Sequence, residues 1–100
     1  MTVIEEIAAE RRRQIEVEGW VPEHDDAHDS GQLAMAAVCY ARFSTGRRIH
    51  RLGSCPLDWP WDIEWWKPKC PRRDLIRAAA LIVAEIERLD RAATTTGETA

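Results

Sequence analysis

The chain lacks most of the signatures that announce a known chemistry. It has no G-x-S-x-G elbow, no glycine-rich phosphate loop and no Ser/His/Asp order, so nothing supports nucleophilic catalysis. It has no run of about 18 apolar residues, so no segment is expected to span a membrane. Its three cysteines, Cys39, Cys55 and Cys70, are far apart and form no C-x-x-C pair for zinc or redox work. A reduced, cytoplasmic setting is expected, with no metal or other cofactor. The opening MTVIEEIAAERRR places acids before any apolar run, which is not the pattern of a secretory leader. Tyrosine and phenylalanine occur once each.

Tryptophan, by contrast, occurs five times, and four of the five sit in WPWDIEWWKPK at 59–69: Trp59, Trp61, Trp65 and Trp66. The charge is as unevenly spread as the indole. Residues 42–77 hold nine Lys/Arg and four acids, a balance of +5, whereas the remainder carries −8, for a net charge of −3. An acidic protein is not expected to bind nucleic acid in general. A local basic, aromatic stretch on it suggests a specific anionic ligand.

One hundred residues make one domain with a single small core. The periodicities predict an all-α domain of three helices with a long Trp/Pro-rich loop between the second and third. The first helix is expected over Val3–Glu18. Thr2 and Glu5 form a capping box, with Ile4, Ile7, Ala8, Arg11 and Ile15 as its apolar stripe and Gly19 as its stop. The second is expected over Gly31–Arg42, capped by Asp29 or Ser30. Leu33, Ala34, Ala36, Ala37, Tyr40 and Ala41 give it a small-residue face. The third starts at Pro71, where a missing N–H costs nothing, and runs to Ala93.

Along the third helix Leu75, Ala79, Ile82, Ile86, Leu89 and Ala93 alternate four and three apart, with Ile76, Ala80 and Val83 beside them. That is more apolar width than a small bundle covers, and it predicts a homo-oligomer contact. Residues 43–70 read as a connection without strands, holding Gly46, Gly53, Pro56, Pro60 and Pro68, with a helical turn near Asp62–Trp66. Long connections of this kind are often functional. The domain is expected to occupy 1–93, and 94–100, without apolar anchors, to form a flexible tail.

Two constellations carry candidate chemistry. GWVPEHDDAH (19–28) gathers Glu23, His24, Asp25, Asp26 and His28. His24 and His28, four apart, would share one helix face as metal ligands. Pro22 and the neighbouring carboxylates point instead to a loop, where that spacing loses its meaning. Aspartates also cap and turn on their own backbone. The third reading is a polar network that orients a ligand. In the second constellation, indole faces offer stacking surface for a base, at roughly 1–3 kcal/mol per stack. Lys67, Lys69, Arg72 and Arg73 follow at a helix start, where free N–H groups favour phosphate. Two or three tryptophans are expected to cap the core. Glu5/Glu6 with Glu10, and Glu85/Glu87 with Asp90, are only loosely spaced for magnesium chemistry.

ERRRQIEVEGWVPEHDDAH, the G-Q-L-A-x-A-A-x-x-Y-A run, W-P-W-D-x-x-W-W-K-P and the R-R-D-L-I-R-A-A-A-L-I-V-A-E-I-E-R-L-D-R segment resemble a family of small proteins of tailed phages and prophages. Gly19 and Trp20, Asp25, Asp26 and His28, Leu33, then Arg73, Leu75 and Ile76 are also remotely similar to the ryanodine-receptor repeat. That second resemblance implies a module for adenine nucleotides or related derivatives. Together they imply a phage-encoded, non-enzymatic binder of a nucleotide-derived signal such as a cyclic nucleotide or an ADP-ribose derivative, acting as a sponge in the infected host's cytoplasm. The expected ligand contacts are Trp20, Trp59, Trp61, Trp65 and Trp66 for the base, with Tyr40 beside them. Asp25, Asp26, His24 and His28 would orient ribose or base, and Lys67, Arg72 and Arg73 would meet phosphate. A metal-dependent nucleotide hydrolase and an adaptor docking a host protein through exposed tryptophans are the alternatives.

Overall fold

A computed structural model describes residues 1–46, 51–52 and 55–96. The fold is all-α. The helices are α1 (Val3–Glu16), α2 (Pro22–Asp26), α3 (Gln32–Ser44) and α4 (Pro71–Thr96). Between α3 and α4 lie two-residue strands β1 (Arg51–Leu52) and β2 (Cys55–Pro56), paired antiparallel, and a 3-10 turn over Ile63–Trp65. Arg47, Arg48 and Gly53 of the connection, and residues 97–100 of the expected tail, lie outside the described residues. The other tail residues, 94–96, belong to α4. Among the described residues no helix is long and apolar enough to cross a membrane.

α1 begins as its sequence dictates. The Thr2 hydroxyl accepts from Glu5 N–H at 3.1 Å while the Glu5 carboxylate accepts from Thr2 N–H at 2.9 Å, so two orphan donors are satisfied reciprocally. The helix ends at Glu16, two residues before the expected limit, and Gly19 turns the chain with φ 78°. That turn lets Trp20 N–H donate to the Gln14 carbonyl at 2.9 Å and sets the indole of Trp20 beside α1.

The expected apolar stripe of α1 is not its buried face. Ile4 and Ala8 are exposed and Ile7 and Ile15 half-buried; of the stripe only Arg11 is buried, together with Glu10 and Gln14 from outside it. The physical reason is pairing. Glu10 accepts from Arg13 at 2.9 and 3.0 Å and from Arg73, and Arg11 donates to Asp25 at 2.8 Å. Buried charge survives only where such partners meet it. Burial pushes the Glu10 carboxyl up, but the bonds from Arg13 and the field of Arg73 outweigh it and hold it below its usual range.

α3 starts without the expected cap. Gly31 is its N-cap in the left-handed conformation, φ 81°, and neither Asp29 nor Ser30 caps it with a side chain. Its small face packs on α4, with Leu33, Ala36, Ala37, Cys39 and Tyr40 buried against Ala78, Leu81 and Ala84. The connection is then pulled onto this core by buried polar groups. Lys67 N–H donates to the Tyr40 hydroxyl at 3.2 Å, Lys69 N–H to Asp74 at 2.8 Å, and Arg77 to the Lys67 carbonyl.

The two apolar stripes of α4 divide between core and surface. Ile76 and Ala80 are buried, whereas Leu75, Ile82, Ile86 and Leu89 face solvent.

Candidate functional site

The tryptophans divide into two groups. Trp59 and Trp66 are core residues. Their rings meet at 4.9 Å between centroids, and Tyr40 contacts both, at 5.5 and 4.7 Å. Phe43 closes on Trp66 at 5.3 Å. Trp59 satisfies its N–H at the Asp62 carbonyl, 3.0 Å away.

The second group lines a cavity of about 370 Å³. Its wall is Trp20, Trp61 and Trp65, with His24 and His28 and two carboxylate residues, Glu18 and Asp62. The rings touch in sequence. Trp20 lies parallel to His24 at 6.2 Å between centroids, His24 meets His28 at 4.5 Å, His28 meets Trp61 edge-on at 5.3 Å, and Trp61 returns to Trp20 at 5.5 Å. Trp59 backs Trp61 at 5.4 Å, so the wall rests on the core. Offset and edge-on contacts at such separations are the favourable geometries for these rings. The Trp61 Nε1 atom is buried and has no partner among the described residues.

Each part of the wall is placed by local structure. Gly19 delivers Trp20. Pro22 at the first turn starts α2, where a loop is expected from the sequence, and Val21 precedes it as the cap. His28 lies just past the end of this short helix: its Nδ1 is 2.9 Å from the His24 carbonyl, and the two rings meet tilted by 47°. Asp62 caps the 3-10 turn, accepting from Glu64 N–H at 3.4 Å, and the turn leaves Trp65 in the cavity wall while Trp66 packs in the core.

The aspartates of the same segment turn away from the cavity. Asp25 is fully buried and bonded to Arg11 at 2.8 Å, and Asp26 is bonded to Arg91 at 2.8 Å. The expected phosphate groups divide as well. Arg72 is paired with Glu6 at 2.7 Å, and Arg73 with Glu10, both at the α1–α4 junction. Lys67 alone of the three adjoins the wall. Its Nζ is 3.5 Å from Glu18 and 5.2 Å from the Trp65 ring centre. Burial pushes the Glu18 carboxyl up, but Arg13 and Lys67 more than offset this and hold it low, so it is a carboxylate at neutral pH.

Of the thirteen expected contacts, the structure therefore brings Trp20, His24, His28, Trp61 and Trp65 around one cavity, with Lys67 at its edge. It places Tyr40, Trp59 and Trp66 in the core, and Asp25, Asp26, Arg72 and Arg73 in ion pairs elsewhere. Glu18 and Asp62 are wall residues that sequence reasoning missed. The available signal was adjacency, since each sits within two residues of a wall tryptophan.

Among the described residues no group of three or more His, Cys, Asp or Glu is set to hold a metal ion. The loosely spaced acids of the helices are engaged too: Glu6 with Arg72, Glu85 with Arg88 and Glu87 with Arg11. The chain matches no family model, no curated protein and no solved structure.

Proposed function

We propose that this protein is a small-molecule-binding module whose aromatic cavity takes the base of a nucleotide-derived ligand. The observation that carries the reading is the convergence of three indoles and two imidazoles on a cavity of about 370 Å³. Ligand pockets are of this size and of this composition, mainly aromatic with a few placed polar groups. A planar heteroaromatic ring offers such a wall two faces to stack and an edge to read. The carboxylates of Glu18 and Asp62 accept hydrogen bonds, so the edge that suits them carries N–H donors, as the exocyclic amine of a purine does.

Phosphate does not belong inside a wall with two carboxylates. It belongs at the edge by Lys67, whose charge is already shared with Glu18. Arg72 and Arg73 have no part in binding on this reading, because α1 holds both. A binder of this kind acts by sequestration. Counter-defence, with a nucleotide signal removed from circulation, is the setting that the resemblance to phage proteins supports.

The test is equilibrium binding to a nucleotide panel, followed by intrinsic tryptophan fluorescence, with recovery of the bound compound after denaturation. The reading expects quenching by purine nucleotides or nucleosides, none by ribose phosphate alone, and release of the compound intact. Equal binding of ribose phosphate would defeat the base-stacking assignment. Release of a changed compound would make the protein an enzyme.

A further inference from the structure

Gln14 and Arg77 are 1% and 7% exposed, and each keeps one polar atom without a hydrogen-bond partner among the described residues: Gln14 Oε1 and Arg77 Nε. Their neighbouring atoms are engaged. Gln14 Nε2 donates to the Glu10 carboxylate at 3.3 Å. A carboxylate only accepts, so the amide is fixed with its oxygen left over. Arg77 Nη1 donates to the Lys67 carbonyl. Buried polar groups are nearly always paired, so an orphaned acceptor and an orphaned donor in one place call for an explanation.

Both residues line one internal void of about 10 Å³, which is room for a single oxygen-sized group. Tyr40 lines it as well. Its oxygen accepts from Lys67 N–H at 3.2 Å, which leaves its own proton to give. The void adjoins the aromatic cavity, because Glu18, Trp20 and Trp65 are walls of both. Trp65 and Lys67 are the exposed residues around it, and the others are buried or half-buried. The way in therefore lies on the side where Trp65 frames the cavity.

We infer that this void is a subsite of the aromatic cavity and takes one hydroxyl of the ligand's ribose, an inference that rests on the nucleotide reading above. The count of bonds selects the group. Gln14 Oε1 accepts, while Arg77 Nε and the Tyr40 hydroxyl donate. A hydroxyl has one proton and two lone pairs, which answers all three. An ammonium group has no lone pair for Arg77 and sets proton against proton. A phosphate oxygen has no proton for Gln14 and sets lone pair against lone pair. A methyl group leaves all three unanswered. In a nucleoside the base fills the stack and the ribose brings the hydroxyls. A water molecule shares the hydroxyl's bonding ability, and the test tells the two apart.

The test compares adenosine and guanosine with their 2′,3′-dideoxy forms by tryptophan fluorescence on the full chain. Each pair shares its base, so the stack is common and the ribose hydroxyls alone differ. The dideoxy forms are expected to bind about tenfold or more weakly, because they leave buried polar groups without the bond that a hydroxyl supplies. Equal affinity within a pair overturns the inference and leaves the base reading standing, with the void a site for water only. Failure of both nucleosides and both dideoxy forms to bind removes the base reading and this inference with it.

Gln14→Met removes the acceptor while keeping a long side chain and a good helix former. It is expected to cut the ratio between dideoxyadenosine and adenosine dissociation constants by about threefold or more. A loosened fold would weaken both ligands alike, so the ratio separates recognition from packing. An unchanged ratio places the hydroxyl elsewhere and overturns the inference. The comparison in the parent chain stands even if this variant does not fold.

Discussion

Arg11 Nη2 lies 2.8 Å from Asp25 Oδ2, and neither side chain sees much water. This pair joins α1 to α2, and α2 carries His24 into the cavity wall. Arg11 also reaches Glu87 at 3.2 Å and the Trp20 carbonyl at 3.5 Å. One guanidinium thus anchors two sides of the site. Removing one partner strands the other charge, whereas replacing both by apolar groups does not. Asp25→Ala is expected to cost about 3–5 kcal/mol of unfolding free energy in a urea titration. The double variant Asp25→Leu with Arg11→Met is expected to cost less than Asp25→Ala alone. A double variant that costs the sum of the two singles would show that the pair does not act as a unit.

The two groups of tryptophans separate stability from binding. Trp66→Ala hollows the core between Tyr40 and Phe43 and is expected to lower stability by about 3–5 kcal/mol. Trp65→Ala removes a partly exposed wall residue, and its effect on stability is expected to be within about 1 kcal/mol. Its effect on the proposed binding is expected to be the loss of one stack, about 1–3 kcal/mol, or roughly 5- to 150-fold in Kd. Urea titration and fluorescence binding on the same two proteins check both halves. Comparable losses of stability in the two would contradict the division between core and wall.

Three of the four helices, all but the short α2, were legible because their signals are local. Thr2 and Glu5 announce a start, Pro71 announces another, and the small residues of α3 announce a face for close approach. What was not legible was direction. Trp65 and Trp66 are neighbours in sequence, yet Trp66 packs on Tyr40 and Trp65 faces the cavity, because a 3-10 turn ends between them. No composition or spacing rule states which way such a turn points. The buried face of α1 was hidden for a second reason. Glu10 and Gln14 lie outside the expected stripe, and Arg11 lies in it as a charge, so their burial is unreadable until Arg73 is known to meet Glu10, Asp25 to meet Arg11, and Gln14 to donate to Glu10. Partners distant in sequence decide the burial of a charge, whereas periodicity sees only neighbours. The same error moved Arg72 and Arg73 into the expected site. Their cationic character was plain, and their prior engagement with Glu6 and Glu10 was not.

The paired carboxylates make stability fall on acidification. Glu10 and Glu18 are held below their ordinary value of 4.5 in the folded state. A depressed folded pKa contributes stability that is present above the unfolded value and is lost as pH falls through the folded one. The urea midpoint is therefore expected to be flat near neutrality and to decline from about pH 5 downward. Glu10→Gln removes one of these groups, so it is expected to lower the neutral plateau and to flatten the acid limb. An acid limb as steep in Glu10→Gln as in the parent chain would remove Glu10 from the account.

The three thiols are expected to react on different terms. Cys39 is buried on α3, and burial together with the nearby Asp58 carboxylate, 3.4 Å from its sulfur, pushes its pKa up to about 12. Burial raises the Cys55 thiol as well, whereas Cys70 is exposed just before α4. The thiolate is the reactive species, so access and ionisation act together here. A native-state titration with a disulfide reagent at neutral pH is expected to show one fast thiol, with the other two appearing only as the fold opens. Cys70→Ser removes the fast phase. Because Cys39 and Cys55 are protected by the packing of α3 and of the connection, their labelling rate then reports opening of that packing, and Trp66→Ala is expected to raise it. If Cys39 labels rapidly in the folded parent chain, the packing of the connection over α3 is not closed as the structure has it.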